Sequence, residues 1–194
     1  MSSLPIPKIT VEDCLAIDRV AEVKSEYHDG EMFPVEAVTF EHSAIAAYAS
    51  ALLIDRLRRS DCTVLVDAPR VRVTRTKYVY PDLMIVCGRP EFADEDTITN
   101  PRVIIGILSP STANYDYGGK FELYRNLPSF AEYLLINQNE PKVEVFRRVE
   151  GTDDWLLSTY RGLDATVPVK CLGIELALAE VYERVTFATQ DPGA

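Results

Sequence analysis

The chain has 194 residues, 47% apolar and 26% charged, a globular balance that excludes collagen-like, low-complexity and wholly disordered proteins. Thirty acidic against twenty basic residues leave a formal charge of −10, so the overall field repels nucleic acid and anionic membrane, and any polyanion must be met locally. No apolar run approaches the roughly eighteen residues of a spanning helix, and Met1 to Thr10 shows neither a charged n-region nor an apolar h-region, so the chain is expected neither to cross a membrane nor to be secreted.

In chain order, Thr10 with Asp13 predicts an N-capped helix running to about Ile17. Asp29-Gly30, between two short extended pieces, predicts a hairpin around Glu26–Glu31. Ile45, Tyr48, Ala49 and Leu52 recur at helical spacing and predict a helix over 41–59, its C-terminal end loaded with Arg56, Arg58 and Arg59. Thr63–Asp67, Val71–Arg75 and Tyr78–Cys87 are expected as strands, with Pro81 marking a strand end or bulge. Residues 88–101 are expected as a surface loop. Val103–Leu108 is apolar on both parities, the pattern of a strand covered on both faces. A helix from near Tyr117 to Asn126, strands at 132–136, 143–148 and 156–160, and a terminal helix over 174–182 complete the reading. Residues 1–188 are expected as one domain and 189–194 as a disordered tail.

Cys14, Cys62, Cys87 and Cys171 form no CxxC, and His28 and His42 are the only histidines, so a Cys/His zinc site cannot be written. Cys62 and Cys87 lie in strand-like runs and read as buried reduced thiols, consistent with a reducing cytoplasm. Arg70, Arg72, Arg75 and Lys77, with Arg56–Arg59, form either a solvated face or a positive patch. His42 reads as a local hydrogen-bonding residue at a helix start, and Ser109, Ser111 and Thr112 read as caps for the helix that follows.

Three pieces in order are more specific: Glu26-Tyr27-His28-Asp29-Gly30-Glu31; Tyr80-Pro81-Asp82-Leu83-Met84-Ile85-Val86; and Val103–Ile107 running into Leu108-Ser109-Pro110-Ser111-Thr112. A helix bearing Asp116, Lys120 and Tyr124 follows, then Ala131-Glu132-Tyr133. Together they resemble the Uma-two family of putative restriction endonucleases, with a PD-(D/E)XK nuclease-like fold, over about Val11 to Tyr182. The resemblance implies an α/β, restriction-endonuclease-like architecture with a mixed central β-sheet flanked by helices. It also implies a homodimeric, divalent-metal-dependent endonuclease that hydrolyses DNA phosphodiesters with Mg²⁺ or Mn²⁺.

Carried over by position, Asp82 is the first metal carboxylate and Ile107 offers its main-chain carbonyl. Leu108 stands where the motif's lysine is usual, and Lys120 on the next helix is its replacement. Glu26 is an early glutamate approaching the same cleft. Gly106 stands where the family's second acid is expected, with Glu31, Glu122 and Asp116 as candidate substitutes. That glycine opens a second reading, a catalytically inactive nuclease-fold protein kept for binding or regulation.

Overall fold

The computed structural model of the protein describes residues 8–67 and 69–187; the tail expected at 189–194 lies outside them. Thr10 caps α1 (Val11–Val20), its hydroxyl accepting from the Asp13 N–H, and the helix runs a turn beyond Ile17. The hairpin forms as β1 (Ser25–His28) and β2 (Glu31–Pro34), with Asp29 and Gly30 both at positive φ (52° and 104°), the turn that matches strand twist. Next come α2 (Phe40–Leu57), β3 (Cys62–Val66) and β4 (Arg70–Thr74).

The extended run expected at Tyr78–Cys87 is two strands, β5 (Lys77–Val79) and β6 (Leu83–Cys87), and they belong to different sheets. Pro81 has no N–H to give a ladder, and the chain changes sheets there. The loop expected over 88–101 contains a small hairpin, β7 (Phe92–Asp94) and β8 (Thr97–Ile98), whose second strand lies parallel to β4. Pieces of two or three residues are too short for periodicity to register.

All six residues of β9 (Val103–Leu108) are buried, as expected. The following helix starts earlier than Tyr117: α3 (Ala113–Tyr115) passes through a π-helical stretch (Asp116–Lys120) into α4 (Phe121–Tyr124). Strands β10 (Glu132–Asn137), β11 (Lys142–Arg148) and β12 (Trp155–Arg161) follow. Of the helix expected at 174–182, only α5 (Leu178–Val181) is helical, because Ile174–Ala177 forms β14 and pairs with β13 (Thr166–Val169). Cross-strand pairing overrides a helical reading of a short apolar run.

One six-stranded sheet has the order β2-β1-β5-β4-β8-β7, and the other β12-β11-β10-β9-β6-β3. In the second sheet β9 and β10 are the parallel pair, joined by the α3–α4 crossover, so this sheet is the expected mixed one. Its one face packs Leu83, Ile85 and Ile105 under Ile45, Ala49 and Leu53 of α2 and Leu178 and Val181 of α5. The opposite face packs Met84, Ile104 and Tyr133 against Tyr124 of α4 and against Val71 and Val79 of the first sheet.

Two expectations about side chains are corrected. Cys62 and Cys87 are joined in a disulfide, since they stand directly opposite each other on β3 and β6; these cysteines therefore no longer argue for a reducing compartment. The basic residues include one, Arg70, that belongs neither to a solvated face nor to an exposed patch. Arg70 is buried, 2.8 Å from Asp18 and 2.5 Å from Asp96, while Lys77 pairs with Asp29 and Arg56 with Glu180. Among the described residues no helix is long and apolar enough to cross a membrane.

Candidate active site

The site forms where the chain passes from one sheet to the other. At the crossing, the Tyr80 N–H is not in a ladder and donates instead to Glu26 Oε1 at 3.1 Å, which ties β1 to the start of β6. Two residues on, Asp82 meets the end of β9: its Oδ2 accepts the Ile107 N–H at 2.7 Å, and its Oδ1 lies 3.1 Å from His42 Nε2 on α2. Asp82 is thus fixed by two elements while about a third of its side chain stays open.

Lys120 comes from the π-helical stretch. Its Nζ lies 3.0 Å from Glu26 Oε1, 3.6 Å from Asp116 Oδ1 and donates to the Tyr80 carbonyl at 3.2 Å. Burial works against its charge, but Glu26, Asp116 and Asp82 outweigh that and hold its pKa above the ordinary lysine value, so it is an ammonium at neutral pH. Burial likewise opposes the charge of Glu26; His28, Lys120 and the Tyr80 N–H more than compensate, and the carboxyl titrates below its usual range. The other Glu26 oxygen accepts from the Tyr115 hydroxyl at 2.9 Å, and that hydroxyl also lies 3.0 Å from His28 Nε2. Both oxygens of Glu26 are therefore engaged by protein.

Asp82, Ile107, Asp116, Lys120 and His42 line one cavity of about 270 Å³, together with Val35–Thr39 and the Ser109–Thr112 turn. Asp116 is nearly fully buried there, and burial raises its pKa despite the nearby Lys120. Of the three acids considered as substitutes at Gly106, Glu31 is exposed on β2 and Glu122 is exposed and paired with Arg125, which leaves Asp116 as the one in the cleft. Gly106 shares the sheet face of Ile104 and Leu108, and the space beside it is filled. A Cβ there would stand 3.1 Å from the Tyr133 hydroxyl and 3.2 Å from Leu135 Cδ2.

The donor set suits a hard cation. Two carboxylates and a peptide group around a cavity with room for water are the oxygen donors that a hard divalent cation takes. Among the described residues Glu26, Asp82 and Asp116 do not converge as a three-ligand cage. The one set of three His, Cys, Asp or Glu ligand atoms within 4.8 Å is Asp61, Cys62 and Cys87, where the sulfurs are bonded to each other.

Asp82, Lys120, Ile107 and Glu26 are thus brought together from four elements, with Glu26 facing Lys120 rather than the Asp82 cavity. The Ser109 hydroxyl accepts the Thr112 N–H at 3.2 Å and so shapes the turn, but Thr112, which stands at the N-cap of the helix, makes no side-chain capping bond, so the capping expected of these residues is not seen. The reading of His42 as a local residue misses its contact with Asp82. Forty positions separate the two, and no spacing rule records such a contact.

Residues 11–179 match the model of the Uma2 family, described as putative restriction endonuclease. An uncharacterized protein of Synechocystis sp. is 29% identical over 186 residues, covering 95% of this chain and 97% of its own length. A second uncharacterized Synechocystis protein is 32% identical over 162 residues, covering 82% and 91%. Among solved structures, a putative nuclease belonging to DUF820 from Anabaena variabilis superposes with a TM-score of 0.73 at 19% identity, over 90% of this chain and 97% of that one. That likeness establishes the mixed α/β fold.

Proposed function

We propose that this chain, which belongs to the Uma2 family of putative restriction endonucleases, hydrolyses phosphodiester bonds of DNA with Mg²⁺ or Mn²⁺. The observation that carries the reading is one cavity holding Asp82, Asp116, Lys120 and the Ile107 peptide although β9 lacks its acid. Asp82, Asp116 and the Ile107 carbonyl would hold the cation. When bound, such an ion lowers the pKa of a coordinated water and offsets charge on the phosphate.

The chain's own groups do the rest. Lys120, fixed by Glu26 and the Tyr80 carbonyl, presents its ammonium to the phosphate, where it stabilises the extra negative charge of the transition state. Because it is already protonated it acts as a charge, not as a base. Glu26 is a positioning residue for Lys120, and His42 orients Asp82.

The filled space at Gly106 favours a second reading, a nuclease-fold protein that binds without cleaving. Incubating duplex and single-stranded DNA with the native protein and Mg²⁺ or Mn²⁺ separates the two. Metal-dependent cleavage that disappears in Asp82→Asn supports the hydrolase; intact DNA with either ion supports the binding protein.

The reading includes one domain, because both sheets share the cluster of Val71, Val79, Met84 and Ile104. It also includes a cytoplasmic location, where DNA would be met, and a homodimer. The outer edge of β12, unpaired among the described residues, with exposed Leu156 and Leu157 supports the dimer, and sedimentation tests it.

A further inference from the structure

Beside the Asp82 cavity lies a larger one of about 480 Å³, and Lys120, Glu36, Ser111 and Thr112 border both. Its wall is aromatic. His28 meets Phe33 edge-on at 5.5 Å and Tyr115 edge-on at 6.2 Å, so three rings from the β1–β2 hairpin and the crossover helix stand in a row. Pro34 and Val35 add apolar surface. Phe33 is 47% and Tyr115 37% exposed, so neither ring is spent on the core.

The Tyr115 hydroxyl is committed to Glu26 and His28, which fixes the ring in place. Glu36 stands on the rim. Its Oε2 accepts from Ser111 at 2.7 Å, which leaves Oε1 without a protein partner among the described residues.

We infer that this cavity takes one unstacked nucleobase of the substrate strand, and that it favours a base with an exocyclic amino group. The inference rests on the phosphodiesterase reading for the neighbouring site and deepens it by naming what lies next to the cleaved phosphate. Three features point to a base. The cavity adjoins the Lys120 ammonium that would meet the phosphate, so base and phosphate can be held by one nucleotide. Aromatic rings offer π-faces and edges to a heterocycle, and every base has a π-face. The free carboxylate oxygen accepts hydrogen bonds and donates none, so it suits an amino group and not a carbonyl.

Charge makes the same demand from another side. With −10 overall and with Arg70 and Lys77 paired to acids, the protein as a whole attracts phosphates weakly at long range. Affinity then has to come from stacking at the site itself.

The test uses fluorescein-labelled single strands in three versions, with adenine, thymine or an abasic spacer at the central positions, bound to the full-length Asp82→Asn protein and read by anisotropy. The adenine strand is expected to bind about tenfold more tightly than the abasic one, the range of a single base–aromatic stack, with thymine between them. Phe33→Ala should erase that preference and Phe33→Tyr restore it, with unchanged melting temperatures excluding a folding defect. Equal binding of the three strands, or a preference indifferent to Phe33→Ala, overturns the inference. Cleavage by the native protein is followed in parallel. Cleavage without base preference sinks the base cavity alone, whereas base-dependent binding without cleavage sinks the hydrolase reading and leaves the cavity standing.

Discussion

Gly106 faces space filled by its neighbours, whereas Asp116 lines the cavity that holds Asp82. The Tyr133 hydroxyl and Leu135 stand within 3.2 Å of where a Cβ at 106 would lie, closer than side chains ordinarily pack. Gly106→Ala is therefore expected to cost about 1–3 kcal/mol, the range for overpacking a core, visible as a lower urea midpoint with an unchanged slope; an unaltered midpoint would mean that Tyr133 yields freely. The same crowding means that restoring an acid at 106 does not by itself rebuild a ligand. Asp82 and Lys120 were legible because they lie in segments of recognisable order, Pro-Asp-Leu and the Lys-bearing helix. Asp116 was one of three acids, and nothing in the sequence says which of the three faces inward. The contact of His42 with Asp82 was not legible, since it depends on how α2 lies across the sheet.

At the scale of elements, the π-helical stretch sets the site's geometry. Asp-Tyr-Gly-Gly-Lys places Asp116 and Lys120 four residues apart on the face toward Glu26, and π segments recur at functional positions. A Cβ on Gly119 would lie 2.6 Å from the Tyr115 ring, whereas Gly118 faces open space. Gly119→Ala should push Tyr115 away from Glu26 and His28 and shift the His28 ring resonances in NMR spectra. Gly118→Ala should leave them alone, and identical spectra for both variants would refute this role.

The β7–β8 hairpin has its own electrostatic anchor. A hydrogen bond from Arg19, with help from Arg70 and against partial burial, holds the Asp96 carboxyl far below its ordinary value. A group whose pKa falls on folding stabilises above its unfolded pKa and loses that contribution as pH drops through the folded value. The stability difference between native protein and Asp96→Asn should thus be constant near neutrality and shrink only below about pH 4, the unfolded carboxylate range. A difference that changes between pH 6 and 8 would contradict it. This hairpin was invisible in the sequence because its strands are two and three residues long. Ala113–Tyr115 precedes the helix start expected near Tyr117, because Ser-Pro-Ser-Thr marks a boundary without saying on which residue the helix begins.

Across the whole molecule, a mixed sheet covered on both faces is what the apolar Val103–Leu108 run demands, and the crossover helix follows from joining parallel β9 and β10. The disulfide was out of reach, because pairing of Cys62 with Cys87 depends on a register between strands that one sequence does not state. The break at Tyr80–Asp82 turns two sheets toward each other, and the acids, the lysine and the aromatic cavity gather along that seam. Calorimetric titration of Mn²⁺ into the native protein, Asp82→Asn and Asp116→Asn tests this arrangement most directly. Saturable binding by the native protein, with each single substitution weakening it at least tenfold, about 1.4 kcal/mol, is the expected result. No binding heat at any ion concentration, or equal binding by all three proteins, would contradict a metal held between β6 and the crossover helix.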